Sequence, residues 1–216
     1  DVTFSIQEGP RVFVDQVEIS GNVRTLDEVI RREVLLLEGD AFNTSKLRRS
    51  RQRIRNLGFF ERVNVENKPG TSPDRTVVDI SVSERSTGEV SLGAGFSSTN
   101  GPIADIGLKE RNLLGRGQYF NLGLQVGAKV DQIDLSFTEP YFLDREVSAG
   151  FDLFRTARDL QEESSFDKES IGFGLRTRYS VSEKLSQSWK YTLREDNVSD
   201  VPSDASAAIK EQEGDF

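Results

Sequence analysis

NLGFFERVNV, residues 56–65, follows directly on the basic run KLRRSRQRIR at 46–55. The first segment is rich in helix-favouring residues, and the second alternates apolar and polar side chains. Between them stands a single glycine. If Leu57 is the last helical residue, Gly58 supplies the left-handed residue that ends many helices, and Phe59 returns over Ile54. The strand pattern then begins without a linker, through Val63 and Val65. This helix has a legible start as well, with Asn43 as N-cap and Phe42 placed to pack on Leu47. Leu47, Ile54 and Leu57 give it a narrow apolar stripe surrounded by arginines.

Upstream, RVFVDQVEIS at 11–20 places Phe13, Val17 and Ile19 on one face of an extended segment, and Gly21-Asn22 punctuates it. Thr25 and Glu28 stand at capping-box spacing. Leu26, Val29, Ile30, Val34 and Leu37 recur at helical spacing, predicting a first helix that ends at Gly39. Downstream of residue 65, KPGTSPD reads as a turn, and Val78, Ile80 and Val82 mark another strand. The predicted order is strand, helix, helix, strand, strand.

Composition narrows the function. Hydrophobic residues are 35% and charged residues 30% of the 216, and no stretch approaches the ~20 consecutive apolar residues of a transmembrane helix. A transmembrane β-barrel passes this test, because alternation makes it hydrophilic on average. Cysteine and histidine are both absent. That removes disulfides, thiolate metal sites and the commonest general base, so the chain is not expected to be an enzyme or to hold a cofactor or metal. Methionine is absent even at position 1, and the chain reads as a processed product or an excised fragment. Residues 1–86 carry equal numbers of acidic and basic side chains, so the net charge of −8 belongs to residues 87–216. Two regions of different character follow.

In the second region the period is two. Val90, Leu92, Ala94 and Phe96 alternate with small and polar residues, and residues 120–130 do so without interruption. Similar runs at 104–114, 133–141, 147–155, 171–181 and 185–194 make about seven strands, each near the ~10 residues needed to cross a bilayer at a tilt. The joining segments at 115–117, 143–146 and 182–184 fall on one side of such a sheet. Tyr119, Phe120, Tyr141, Phe142 and Tyr179 sit beside them, as a membrane-interface belt predicts. QEESSFDKES at 161–170 and the tail after Asp196 fall on the other side as outer loops.

VEISGN, VIRREV with Glu38-Gly39 after it, IRNLGFFERVNV and VVDISVSER, in that order over residues 17–85, resemble a POTRA domain. They most resemble the last POTRA domain before the barrel of BamA-type outer-membrane assembly proteins. LGAGFSS, ERNLLGRGQ and TEPYF resemble the opening strands of that barrel. The expected fold is an α+β POTRA domain (β-α-α-β-β) followed by antiparallel transmembrane β-barrel strands, an incomplete barrel. Residues 1–10 are expected to end a preceding POTRA repeat, 11–86 to form the POTRA domain, and 87–216 to supply the first seven or so strands and a polar loop.

The resemblance implies a role in assembling and inserting β-barrel proteins into the bacterial outer membrane, with the POTRA domain in the periplasm. Its partners would be unfolded outer-membrane clients, accessory lipoproteins and outer-membrane lipid. The strand holding Phe59, Phe60, Arg62, Val63, Asn64 and Val65 is the expected edge for client pairing. Glu38 and Arg31 are the expected lipoprotein contact. Val90, Leu92, Gly93, Gly95 and Phe96 form the expected barrel seam, weakened by its glycines. The arginine-rich helix fits a solvated face, or an attraction to anionic headgroups or an acidic partner, better than nucleic acid, because its region is neutral overall. Two alternatives stay open: a POTRA-bearing transporter that secretes a protein partner, and a soluble secreted β-sandwich binding module.

Overall fold

The computed structural model describes residues 11–161, 166–182, 185–203, 210–211 and 213–215. The expected tail of a preceding repeat at 1–10 lies outside the described residues. The chain divides into two compact units, residues 1–87 with 114–116 and residues 88–113 with 117–216.

In the first unit, β1 (Phe13–Ser20), α1 (Asp27–Arg31), α2 (Thr44–Asn56), β2 (Phe60–Pro69) and β3 (Arg75–Glu84) follow the predicted order. The sheet order is β1-β3-β2, with β1 parallel to β3 and β2 antiparallel to it. The central strand β3 buries Thr76, Val78, Ile80 and Val82, the alternation of a strand with one covered face. Val14, Val17, Val29, Ile30, Leu36, Leu47, Ile54, Phe59, Val63 and Val65 join it in one core. Complete burial of a side chain such as Ile80 stabilises by roughly 1.5–3 kcal/mol.

The second helix has the expected ends. Asn43 accepts hydrogen bonds from the N–H groups of Ser45 and Lys46 at 2.8 and 3.1 Å. Gly58 has φ +74° and donates to Arg55 O at 3.1 Å, and Phe59 is buried in the core with Ile54. Phe42 packs against this same core, which includes Leu47.

The first helix is much shorter than its spacing predicts. It covers five residues, its N-cap is Leu26 without a side-chain cap bond, and Thr25 is not the cap. Leu26 and Leu37 are exposed, whereas Leu36, off the predicted stripe, is buried. Competing tertiary bonds explain the difference. Thr25 N–H donates to Glu84, Leu35 N–H donates to Ser50 Oγ, and Gly39 N–H donates to Val14 O. The chain after Arg31 therefore serves the neighbouring elements, and Gly39, at φ +90°, closes a turn and not a helix.

The second unit is an antiparallel meander. Its strands are β4 (Gly88–Ser97), β5 (Gly101–Leu113), β6 (Gln118–Gly127), β7 (Val130–Glu139), β8 (Val147–Asp159), β9 (Asp167–Ser182) and β10 (Leu185–Ser199), with a two-residue β11 (Gly214–Asp215). They pair in sequence order, so β4 forms one edge and β11 the other. Among the described residues no pairing joins these edges, and the sheet is an unclosed barrel segment. The run at 120–130 is not one strand. It turns at Ala128-Lys129, and Val130 begins β7 as a buried residue.

Candidate functional site

Register across the meander sorts its side chains into two faces. Val90, Leu108, Leu122, Leu135, Leu153, Phe173 and Leu193 form one transverse row, and Phe120, Phe137, Phe151, Leu175 and Tyr191 form the next. Phe137 and Phe151 meet with ring centroids 5.6 Å apart. This apolar face is open: Leu92 is 77% and Leu193 56% exposed. A surface so apolar and so continuous requires a non-aqueous cover.

The opposite face is polar and rich in glycine. Asp152 accepts from Ser136 Oγ at 2.8 Å and lies 2.7 Å from Arg176 Nε, and Arg176 also reaches Thr138 Oγ1 at 3.2 Å. Glycines make room for these groups. A Cβ on Gly93 would stand 2.5 Å from the Asp105 carboxylate oxygens, and one on Gly172 would stand 2.2 Å from Phe154 Cζ.

The residues expected at the seam lie on the edge strand β4. Val90, Leu92 and Phe96 share the apolar face, and Gly93 and Gly95 the polar one. Of the five aromatics, Phe120 lies on the apolar face, and so does Tyr179, which pairs with Val147 and Gln187 and donates to Gln187 Oε1 at 2.6 Å. Tyr119 is a correction to the single belt: next to Phe120 in a strand, it stands on the polar face opposite Thr138. Tyr141 and Phe142 sit at the turn after β7, with Phe142 47% exposed.

In the first unit, the expected client edge is the outer edge of β2. Phe60, Val63 and Val65 turn into the core, Phe59 precedes the strand and is buried, and Arg62 and Asn64 are exposed. Among the described residues no strand lies beyond β2. The edge of β1 differs. Val14 N–H donates to Asp40 O, Gly39 N–H to Val14 O and Phe42 N–H to Val12 O, each at 2.8 Å. Glu38 Oε1 accepts from Val17 N–H at 3.2 Å, and Arg31, paired with Asp27 at 3.0 Å, reaches Val17 O at 3.4 Å. Glu38 and Arg31 are thus brought together on one backbone residue. On α2, Arg53 pairs with the largely buried Glu33 at 2.7 Å and Lys46 with Asp40 at 3.6 Å, while Arg48 and Arg55 are exposed.

Sequence reasoning passed over Glu84 and Ser50. Ser50, fully buried, accepts from Leu35 N–H at 2.8 Å and donates to Lys46 O at 2.9 Å. Its signal was a small polar residue in the apolar stripe of α2, between Leu47 and Ile54. Glu84 carried no such signal, since it stands among polar and charged neighbours at the end of its strand.

Residues 12–85 match the POTRA surface antigen variable number repeat, and residues 112–215 match the Omp85 superfamily domain. Over 188 residues the chain is 35% identical to outer membrane protein assembly factor BamA of Neisseria meningitidis serogroup B, covering 85% of this chain and 24% of that protein. Over 215 residues it is 33% identical to BamA of Nitratidesulfovibrio vulgaris, covering 100% of this chain and 27% of that protein. The crystal structure of BamA from Haemophilus ducreyi lacking POTRA domains 1–3 is similar at TM-score 0.75 and 26% identity, over 89% of this chain and 37% of that one.

A POTRA repeat followed by Omp85-superfamily strands defines the class, and over most of its length the chain is similar to BamA-type members of that superfamily. Its strands accordingly belong to the outer membrane and its POTRA domain to the periplasm. The chain spans about a quarter of the length of the curated relatives it matches.

Proposed function

We propose that this chain is the barrel-proximal part of a factor that assembles and inserts β-barrel proteins into the outer membrane. Unfolded clients add a strand to the outer edge of β2, where backbone pairing tolerates many side-chain sequences. They then pass to the edge of β4, which templates incoming strands. The apolar face meets outer-membrane lipid, with Phe120, Tyr141, Phe142 and Tyr179 near its turn-side rim. Arg48 and Arg55 of α2 attract anionic headgroups. An accessory lipoprotein of the assembly complex places a cation on Glu38, whose Oε2 has no partner among the described residues. No covalent step is needed, because client folding supplies the free energy.

The observation that carries this reading is the outer edge of β2, ten residues long and without a partner among the described residues. Its test is photo-crosslinking from Arg62 and Asn64 in the full-length protein with a urea-denatured outer-membrane β-barrel protein as probe. Capture from these positions is expected. Labelling only from the helical surface, at Arg48 or Gln52, would reject strand addition.

A further inference from the structure

A three-stranded sheet has two edges, and an extended segment pairs with whichever offers a run of free N–H and C=O groups. In this POTRA domain the two edges are treated differently. The edge of β2 has no covering strand among the described residues, while β1 is covered in two stages. Residues 39–42 run antiparallel beside its first half and bond Val12 and Val14 through their backbone. A bulge between Val14 and Gln16 follows. Past the bulge, side chains take over. Glu38 accepts from Val17 N–H, and the Arg31 guanidinium donates to Val17 O through both terminal nitrogens at 3.4 Å. Beyond Val17 only three residues of β1 remain before Gly21, whose φ of +87° ends the extended run.

We propose that Glu38 and Arg31 act as edge guards, masking the Val17 peptide groups so that strand addition is confined to β2. This inference rests on the client-binding reading above and specifies which residues choose the edge. An incoming strand needs several consecutive backbone partners. Successive residues of a strand turn their backbone groups to opposite edges, so past the bulge Val17 and Ile19 face outward: with Val17 masked β1 offers only Ile19, and with Val17 freed it offers both. The masking pair is tethered to the sheet it covers, at a high effective concentration that a dilute client must overcome. The two guards are complementary in kind, an acceptor for the N–H and a donor for the C=O, which is what an added strand would itself provide. The charged ends need not be buried, and both side chains belong to exposed residues.

The test places a photo-crosslinker at Glu18 on β1 or at Asn64 on β2 in the full-length protein, with a urea-denatured outer-membrane β-barrel protein as probe. Unaltered protein should label from Asn64 and not from Glu18. Combining Glu38→Ala with Arg31→Ala should raise labelling from Glu18 several-fold while labelling from Asn64 persists, the latter showing that the domain remains folded. Glu38→Gln with Arg31→Lys retains one acceptor and one donor and should leave Glu18 unlabelled. Hydrogen exchange gives an independent readout: the Val17 amide should exchange faster in Glu38→Ala alone, with the Val78 and Ile80 amides unchanged. Asn64 labelling without a gain at Glu18 in the alanine variant, or strong Glu18 labelling of the unaltered protein, would overturn the guard role alone. No labelling from Asn64 in the unaltered protein would overturn the client-binding reading, and this inference with it.

Discussion

Glu84, at the end of β3, accepts a hydrogen bond from the backbone N–H of Thr25 at 2.7 Å, and its carboxylate also receives the N–H of Arg24 at 3.0 Å. One side chain at the last position of the POTRA sheet thereby fixes the entry to α1. A side-chain cap on that helix is replaced by an acceptor 59 residues away in sequence.

This arrangement predicts a pH dependence. Burial pushes the Glu84 carboxyl up, but the bonds from Thr25 and Arg24 outweigh it and hold the group below its usual range. A group whose pKa is depressed by folding stabilises the native state above its unfolded pKa, near ~4.3 for Glu, and loses that contribution as pH falls through the folded value. Glu84→Gln should therefore lower the stability of the POTRA domain at neutral pH. The gap from the unaltered protein should close below about pH 4. Amide exchange at Arg24 and Thr25 across a pH series measures it.

Ser50→Ala should destabilise the same domain by about 1–3 kcal/mol, because Leu35 N–H loses its acceptor at a site where water has little access. Chemical denaturation followed through POTRA amides would read the change, and Ser50→Thr, which keeps the hydroxyl, should recover part of it. An effect indistinguishable from zero would mean that Leu35 finds another partner.

Gly21 is constrained twice. Its φ is +87°, and an added Cβ would stand 2.0 Å from Val82 O, a backbone atom that cannot move without disturbing β3. Gly21→Ala should cost more than about 2 kcal/mol, the sum of a disfavoured backbone conformation and a forced shift. The same substitution at Gly39, where an added Cβ meets nothing within 4 Å, should be milder and reflect φ alone. Comparing the two melting temperatures separates the close approach from the backbone term.

In the membrane sheet, the ring of Phe154 occupies the space that a side chain at Gly172 would need. Gly172→Ala should force the ring out of place and reduce resistance of the full-length barrel to heat in detergent. Phe154→Ala should also weaken it, by lost packing. In the double variant the two effects should fall short of additive, since the clash disappears with the ring. Strict additivity would show that the pair does not interact.

The strands of the barrel segment were legible because an apolar face on one side and a polar face on the other impose alternation that any reader of the chain can follow. The second helix was legible for a local reason, since Asn43 and Gly58 act on backbone groups within a few residues of themselves. The first helix misled because its periodicity is real but its backbone is claimed elsewhere, by Glu84, Ser50 and Val14. Tyr119 could have been separated from Phe120 by parity alone, since neighbours in a strand face opposite ways.

What the sequence determined by itself was the succession of elements, the two-faced character of the second region and the capped entry and exit of α2. Each rests on interactions between residues close together in the chain. Only the tertiary structure decided which sheet edge stays open. The residues that close β1, Arg31 and Glu38 with the segment 39–42, meet Val12, Val14 and Val17 through contacts that no local spacing encodes, and among the described residues β2 is left as the edge without a partner.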